Sequence, residues 1–130
     1  MKTNCKLALA VLAGALIGSA GTMAIHAEQT KSAPGYVIAE VDVHDPAMMD
    51  KYGSQVPATL APFNHHYVIL GHNIQALEGD PPKGGVVMIA FDNVKKAREW
   101  YDSPAYAAIR SIRQAAATSR LFIVEGLPPE

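Results

Sequence analysis

Three histidines lie close together in the chain: His65, His66 and His72. Imidazole is the side chain that most readily moves a proton near neutral pH or holds a metal. Their spacing limits both uses. On an unbroken strand His66 and His72 share a face but stand about 20 Å apart, six steps of ~3.3 Å, while His65 points to the opposite side. No HxH or HxxxH spacing occurs, and the one cysteine, Cys5, lies far away near the N-terminus. No metal site is therefore expected. His66 is a candidate catalytic residue, with a surface or pocket-rim histidine as the ordinary alternative. A single axial histidine to haem is a further possibility, since haem needs only one.

The acids of GYVIAEVDV come next. Alternation puts Tyr36, Ile38, Glu40 and Asp42 on one side, and Val37, Ala39, Val41 and Val43 on the other. A carboxylate on a face that lines a cavity can have a raised pKa and act as a general base. Glu40 is the candidate, and Tyr36 beside it a candidate ligand contact. The competing reading pairs the carboxylate with an arginine such as Arg113 or Arg120.

The third group is aromatic. Trp100, Tyr101 and Tyr106 flank a helix junction, where rings can wall a pocket and polar tips can orient a ligand. Arg113 could anchor a carboxylate by bidentate pairing. The bland alternative is core packing for the rings and a structural ion pair for the arginine. Ser103 and Ser119 have no His/Asp partners nearby in sequence, and Gly84-Gly85 lacks the following helix of a phosphate loop.

The elements that must position these groups follow from periodicity. The strand over 35–43 leads into Asp45-Pro46, an N-cap with proline at the first helical position. Met48, Met49, Tyr52, Val56 and Leu60 recur at helical spacing, with Pro57 expected to kink or restart the helix before it ends near Pro62-Phe63-Asn64. A strand over His66–Leu70 is expected to bulge at Gly71-His72-Asn73 and continue over Ile74–Glu78. After the turn Gly79–Gly85, VVMIAF reads as a buried strand. Asp92 or Asn93 then caps a short helix, Ser103-Pro104 caps a second that presents Tyr106, Ile109, Ile112 or Arg113, and Ala116, and Leu121–Glu125 is the last strand.

This β-α-β-β-α-β order predicts an α+β, ferredoxin-like fold, an antiparallel sheet with helices on one face. The bare face, carrying Tyr36 and Ile38, would be buried by symmetric dimerisation.

Composition sets the surroundings. The chain has 130 residues, room for one domain. Lys2 and Lys6 flank the start of an uncharged run from Leu7 to Ile25, and Ile25-His26-Ala27 offers a small-residue exit. Residues 1–27 are thus expected to be a secretory signal cleaved after Ala27, or after Ala24, with an uncleaved membrane anchor as the alternative. Cys5 precedes the apolar run, which does not suit lipid attachment. Residues 28–34 form a linker and 35–127 the domain. Losing Lys2 and Lys6 takes the basic residues from 11 to 9 against 12 acids, leaving a net charge of −3. That balance does not attract nucleic acid. The only thiol goes too, so an exported domain is expected to be free of disulfide and thiol, with no cofactor assigned and any chemistry either cofactor-free or reliant on an exported cofactor.

Four stretches carry a family resemblance: PGYVIAEVDVHDP, VPATLAPF, ALEGDPPKGGVVMIAFDN, and AREWYDSPAYAAIRSIRQAAATSRLFIVEG. Together they resemble the bacterial domain-of-unknown-function family numbered 1330 (DUF1330), most specifically at Trp100-Tyr101-Asp102-Ser103-Pro104-Ala105-Tyr106 with Arg113 behind it. The resemblance implies a dimeric α+β barrel, a superfamily that includes cofactor-free monooxygenases, haem-linked branches and small-molecule isomerases. Relatives commonly carry arginines around the second strand. Here His66 and Leu70 stand in those places, so an acidic-ligand role for that strand does not carry over. The expectation is a homodimer that binds a small molecule between sheet and helices, with cofactor-independent monooxygenase- or isomerase-like activity open. The alternative is a non-catalytic oligomeric envelope protein.

Overall fold

The computed structural model describes residues 31–130. The expected signal segment 1–27 and the start of the linker lie outside the described residues.

Strand β1 (Gly35–Val43) alternates as its sequence does. Val37, Ala39 and Val41 are buried, while Tyr36, Ile38, Glu40 and Asp42 are half-buried on the opposite face. Helix α1 (Pro46–Gly53) starts where the Asp45 carboxylate accepts a hydrogen bond from the Met48 amide at 3.0 Å, satisfying a donor that the first turn leaves without a partner. The chain breaks and restarts as α2 (Val56–Leu60), with Pro57 in its first turn, where no amide donor is needed. Strands β2 (His65–Gly71) and β3 (Gly85–Phe91) follow. Helix α3 (Val94–Tyr101) is capped by Asn93, and α4 (Pro104–Ala116) by Ser103. Strand β4 (Ala117–Glu125) closes the chain.

All neighbouring strands are antiparallel, in the order β2-β3-β1-β4. This is the ferredoxin-like arrangement. The helices cover one sheet face, where Val37, Ile89 and Phe91 meet Tyr52, Leu60, Trp100, Tyr106 and Ile109 in the main core. Fully burying a side chain such as Leu60 contributes about 1.5–3 kcal/mol. Gly84 holds φ at +72°, and a Cβ there would sit 2.0 Å from the Val41 carbonyl oxygen, so only glycine lets the chain turn this closely into β3.

The other face has no helix over it. Met88, Ile38 and Phe122 form one row across β3, β1 and β4, and Ala90, Tyr36 and Val124 the next. Phe122 and Val124 remain about 40% exposed (39% and 42%), and such a contiguous apolar patch marks an interaction surface.

Three expectations are corrected. Residues 74–78 do not continue the strand: β3 begins at Gly85, and its pairing with β2 ends at Gly71↔Val86, so nothing remains for them to pair with. The bulge falls between Tyr67 and Ile69 rather than at Gly71-His72-Asn73. Strand β4 starts at Ala117, not Leu121, because Ala117–Arg120 pair in register with Val43–Glu40.

Candidate functional site

Between the inner sheet face and the helices lies a cavity of about 260 Å³. Most of its wall is apolar, supplied by β1 (Val37, Ala39, Val41), β3 (Val87, Ile89) and Met49 and Val56 of the first two helices. The β2 bulge decides which side chains complete the wall. With Val68 as the extra residue, Tyr67 and Leu70, three apart, both turn inward. Leu70 is 72% exposed and Tyr67 45%, so these two mark the rim on the edge strand.

Tyr52, Trp100, Tyr106 and Arg113 of the cavity wall lie together, with Thr59 behind Trp100. Tyr52 Oη and Tyr106 Oη are hydrogen-bonded at 2.9 Å, buried, although 54 residues separate them. The Trp100 ring lies 4.2 Å, centroid to centroid, from that of Tyr106, and its Nε1–H donates to Thr59 Oγ1 at 3.0 Å. Thr59 in turn donates to the Val56 carbonyl at 2.7 Å. Burial pushes the Tyr52 hydroxyl well above the ordinary phenol range, and its contact with Tyr106 adds to the shift. Burial, with a smaller contribution from Tyr106, raises Tyr67 as well. These phenols are neutral hydrogen-bonding groups, not bases. Arg113 joins the wall from α4, only 5% exposed.

The candidates named from sequence separate into three places. Trp100, Tyr106 and Arg113 line the cavity. Tyr101 lies beside them, its ring 5.6 Å from that of Tyr106, but it carries the Arg110 guanidinium on its face at 4.1 Å. Arg110 also donates to the Tyr101 carbonyl. Tyr36 and His66 share the outer face, where they border a wide, open depression of about 880 Å³ at the end of the sheet. That hollow is larger than the cavity but encloses nothing. Glu40 sits further along the same face, held by Arg120 through two bonds of 2.6 and 2.9 Å. The Arg120 contact lowers the Glu40 pKa below the ordinary carboxylate value, the reverse of what a general base near neutrality needs. The structure therefore does not bring Glu40 and His66 together with Trp100.

Tyr52, Thr59 and Tyr67 were not singled out from sequence. Tyr52 did fall on the apolar stripe of its helix, and a buried phenol calls for a hydrogen-bond partner; that was the available signal. Among the described residues no cluster of three or more His, Cys, Asp or Glu could hold a metal ion. No helix among them is long and apolar enough to cross a membrane.

Residues 34–127 match the model of a family described as "Domain of unknown function (DUF1330)". Comparison with curated protein sequences gives no match. Among solved structures, the chain is similar to RPA0582, a protein of unknown function from Rhodopseudomonas palustris. The TM-score is 0.60 at 20% identity, over 78% of this chain and 88% of that one. It is similar also to SnoaB, a cofactor-independent oxygenase from Streptomyces nogalater, with a TM-score of 0.56 at 13% identity, over 75% of this chain and 97% of that one. A dimeric ferredoxin-like protein of unknown function from Thermobifida fusca gives a TM-score of 0.52 at 14% identity, over 73% of this chain and 92% of that one.

Proposed function

The chain belongs to the DUF1330 family, and from that premise we propose that it is an exported homodimer that binds a small, mainly apolar molecule in the cavity between sheet and helices. The cavity itself carries this reading: about 260 Å³ of space in a domain of this size, apolar-walled, with a few convergent polar groups. A protein under no demand to hold a ligand packs such a space shut, because unfilled core volume destabilises it. The dimer is supported by the uncovered apolar face and by the dimeric state of the Thermobifida fusca protein of the same fold. Export rests on the N-terminal sequence, and N-terminal sequencing of the protein recovered from outside the cytoplasm tests it.

Trp100 is the only tryptophan of the chain and lies in the cavity wall, so its emission reports occupancy. Native mass spectrometry of the purified protein is expected to find a small molecule bound. Ala39→Leu, which fills the cavity from β1, is expected to expel that molecule and remove the emission change on its return. Binding that is unaffected by Ala39→Leu counts against the cavity and for the outer face.

A second reading, oxygenation of the bound molecule without a cofactor, is favoured by the fold shared with SnoaB over 97% of that chain. The cavity wall contains no carboxylate or imidazole. Its tyrosines and Arg113 can stabilise a substrate anion but are poorly suited to generate one, so the substrate would have to be acidic in itself. Oxygen uptake with the recovered ligand tests this, and an unchanged ligand in air leaves binding alone. The cavity reading gives no part to Glu40 or His66.

A further inference from the structure

We infer that the cavity selects an organic acid: a small molecule with one carboxylate, paired with Arg113, and an apolar body lying along the inner face of β1 and β3. This rests on the cavity being a binding site and names the class of its ligand.

Arg113 is the only charged side chain in the cavity wall, and it is 5% exposed. Its Nε is buried with no hydrogen-bond partner. The ion pairs found among the described residues, Lys96–Glu99, Arg98–Asp102 and Arg120–Glu40, do not involve it. A guanidinium withdrawn from water without a counter-charge is a costly arrangement. Its place in the last turn of α4 offsets part of that cost through the helix dipole, but supplies no counter-charge. A carboxylate in the cavity would. It matches the planar fork of the guanidinium with two parallel bonds.

The neighbouring hydroxyls fit the same ligand. In the Tyr52–Tyr106 pair one hydroxyl donates to the other, and the acceptor keeps its own proton for a further oxygen. A dianionic phosphate fits less well, since it would bring two charges against one cation in an apolar enclosure. The size is also limiting. A volume of about 260 Å³ equals roughly nine waters at ~30 Å³ each, which suits a single ring with a short acidic chain.

The test uses two near-isosteric probes, 3-phenylpropanoate and neutral 3-phenylpropanamide, titrated into the full chain. Trp100 emission and calorimetry report binding. The acid is expected to bind at least about tenfold more tightly than the amide, and Arg113→Gln to bring it down to the amide's level. In the wild-type protein the Arg113 guanidinium N–H resonances are expected to shift with the acid and not with the amide, a readout that needs no variant to fold. Equal affinity for the two probes overturns the inference and leaves the cavity reading standing. An acid preference that survives Arg113→Gln, or that leaves the Arg113 resonances unmoved, also overturns it. No response of Trp100 or heat to either probe overturns the inference and the cavity reading together.

Discussion

Tyr52 of α1 and Tyr106 of α4 meet hydroxyl to hydroxyl at 2.9 Å in the interior. Their rings stand edge to face, with centroids 6.4 Å apart. This contact ties the first helix to the last and sets the polar end of an otherwise apolar cavity. It is also the place where stability and ligand recognition share the same atoms.

Removing one hydroxyl should therefore cost more than removing both. Tyr106→Phe leaves the Tyr52 hydroxyl buried without its partner, which costs about 1–3 kcal/mol. At ~4–8 °C of Tm per kcal/mol for a domain of this size, calorimetry should resolve the drop. The double variant Tyr52→Phe/Tyr106→Phe is expected to recover part of it, giving a non-additive cycle. Strict additivity would show that the pair is not coupled.

Thr59 supports Trp100 through one hydrogen bond. Thr59→Val keeps the volume but strands the indole N–H in the interior. A loss of about 1–3 kcal/mol is expected from that unsatisfied donor, with a shift in Trp100 emission at unchanged helix content. An unshifted spectrum and an unchanged Tm would mean that the indole finds another acceptor.

The Glu40–Arg120 pair gives an acid-side pH dependence. Arg120 holds the Glu40 pKa below its unfolded value of about 4.5. Its contribution is thus fully present above that value and is lost as the pH falls through the lower, folded pKa. Glu40→Gln is expected to flatten the stability profile in that acidic window and to leave its slope near neutrality unchanged. Chemical denaturation at a series of pH values distinguishes the two outcomes.

The alkaline side belongs to Tyr52, whose folded pKa is raised by burial. Folding then favours the protonated phenol, so stability is expected to fall once the pH exceeds the unfolded tyrosine pKa of about 10. In a spectrophotometric titration Tyr52 should ionise only as the protein unfolds. Tyr52→Phe should reduce that late component, to which Tyr67 also contributes, and a smooth titration of every tyrosine near pH 10 would contradict the burial argument.

The uncovered sheet face predicts association. Phe122→Asp places a charge at the β4 end of the Met88–Ile38–Phe122 row, on the exposed apolar face. It is expected to turn a dimer into a monomer by light scattering without altering the cavity. A wild-type monomer at micromolar concentration would remove the dimer from the proposal.

Much of this architecture was legible in the residues. Alternation in GYVIAEVDV assigned the two faces of β1, and the caps at Asp45, at Asp92 or Asn93, and at Ser103 marked helix starts that the structure keeps, the second of them at Asn93. Helical spacing placed Tyr106, Ile109 and Ala116 on the buried side of α4, because a regular element repeats its own geometry, but left Ile112 or Arg113 open, and the structure buries Arg113. The composition of the site was legible only in part. Trp100, Tyr106 and Arg113 could be named, but whether the separate candidates Tyr36, Glu40 and His66 converge with them could not be read, and these three stand on the opposite face of the sheet.

What the tertiary structure alone decided was every relationship between distant segments. Whether Glu40 meets Arg113 or Arg120 depends on the register of β4 against β1, which pairs it with Arg120, 80 residues away. The bulge at Val68 turned both Tyr67 and Leu70 toward the cavity, and the end of β3 left residues 74–78 without a partner strand. A shift of one residue in strand pairing reverses which face a side chain takes. No local pattern encodes that shift, because it is set by the packing of the whole sheet against its helices.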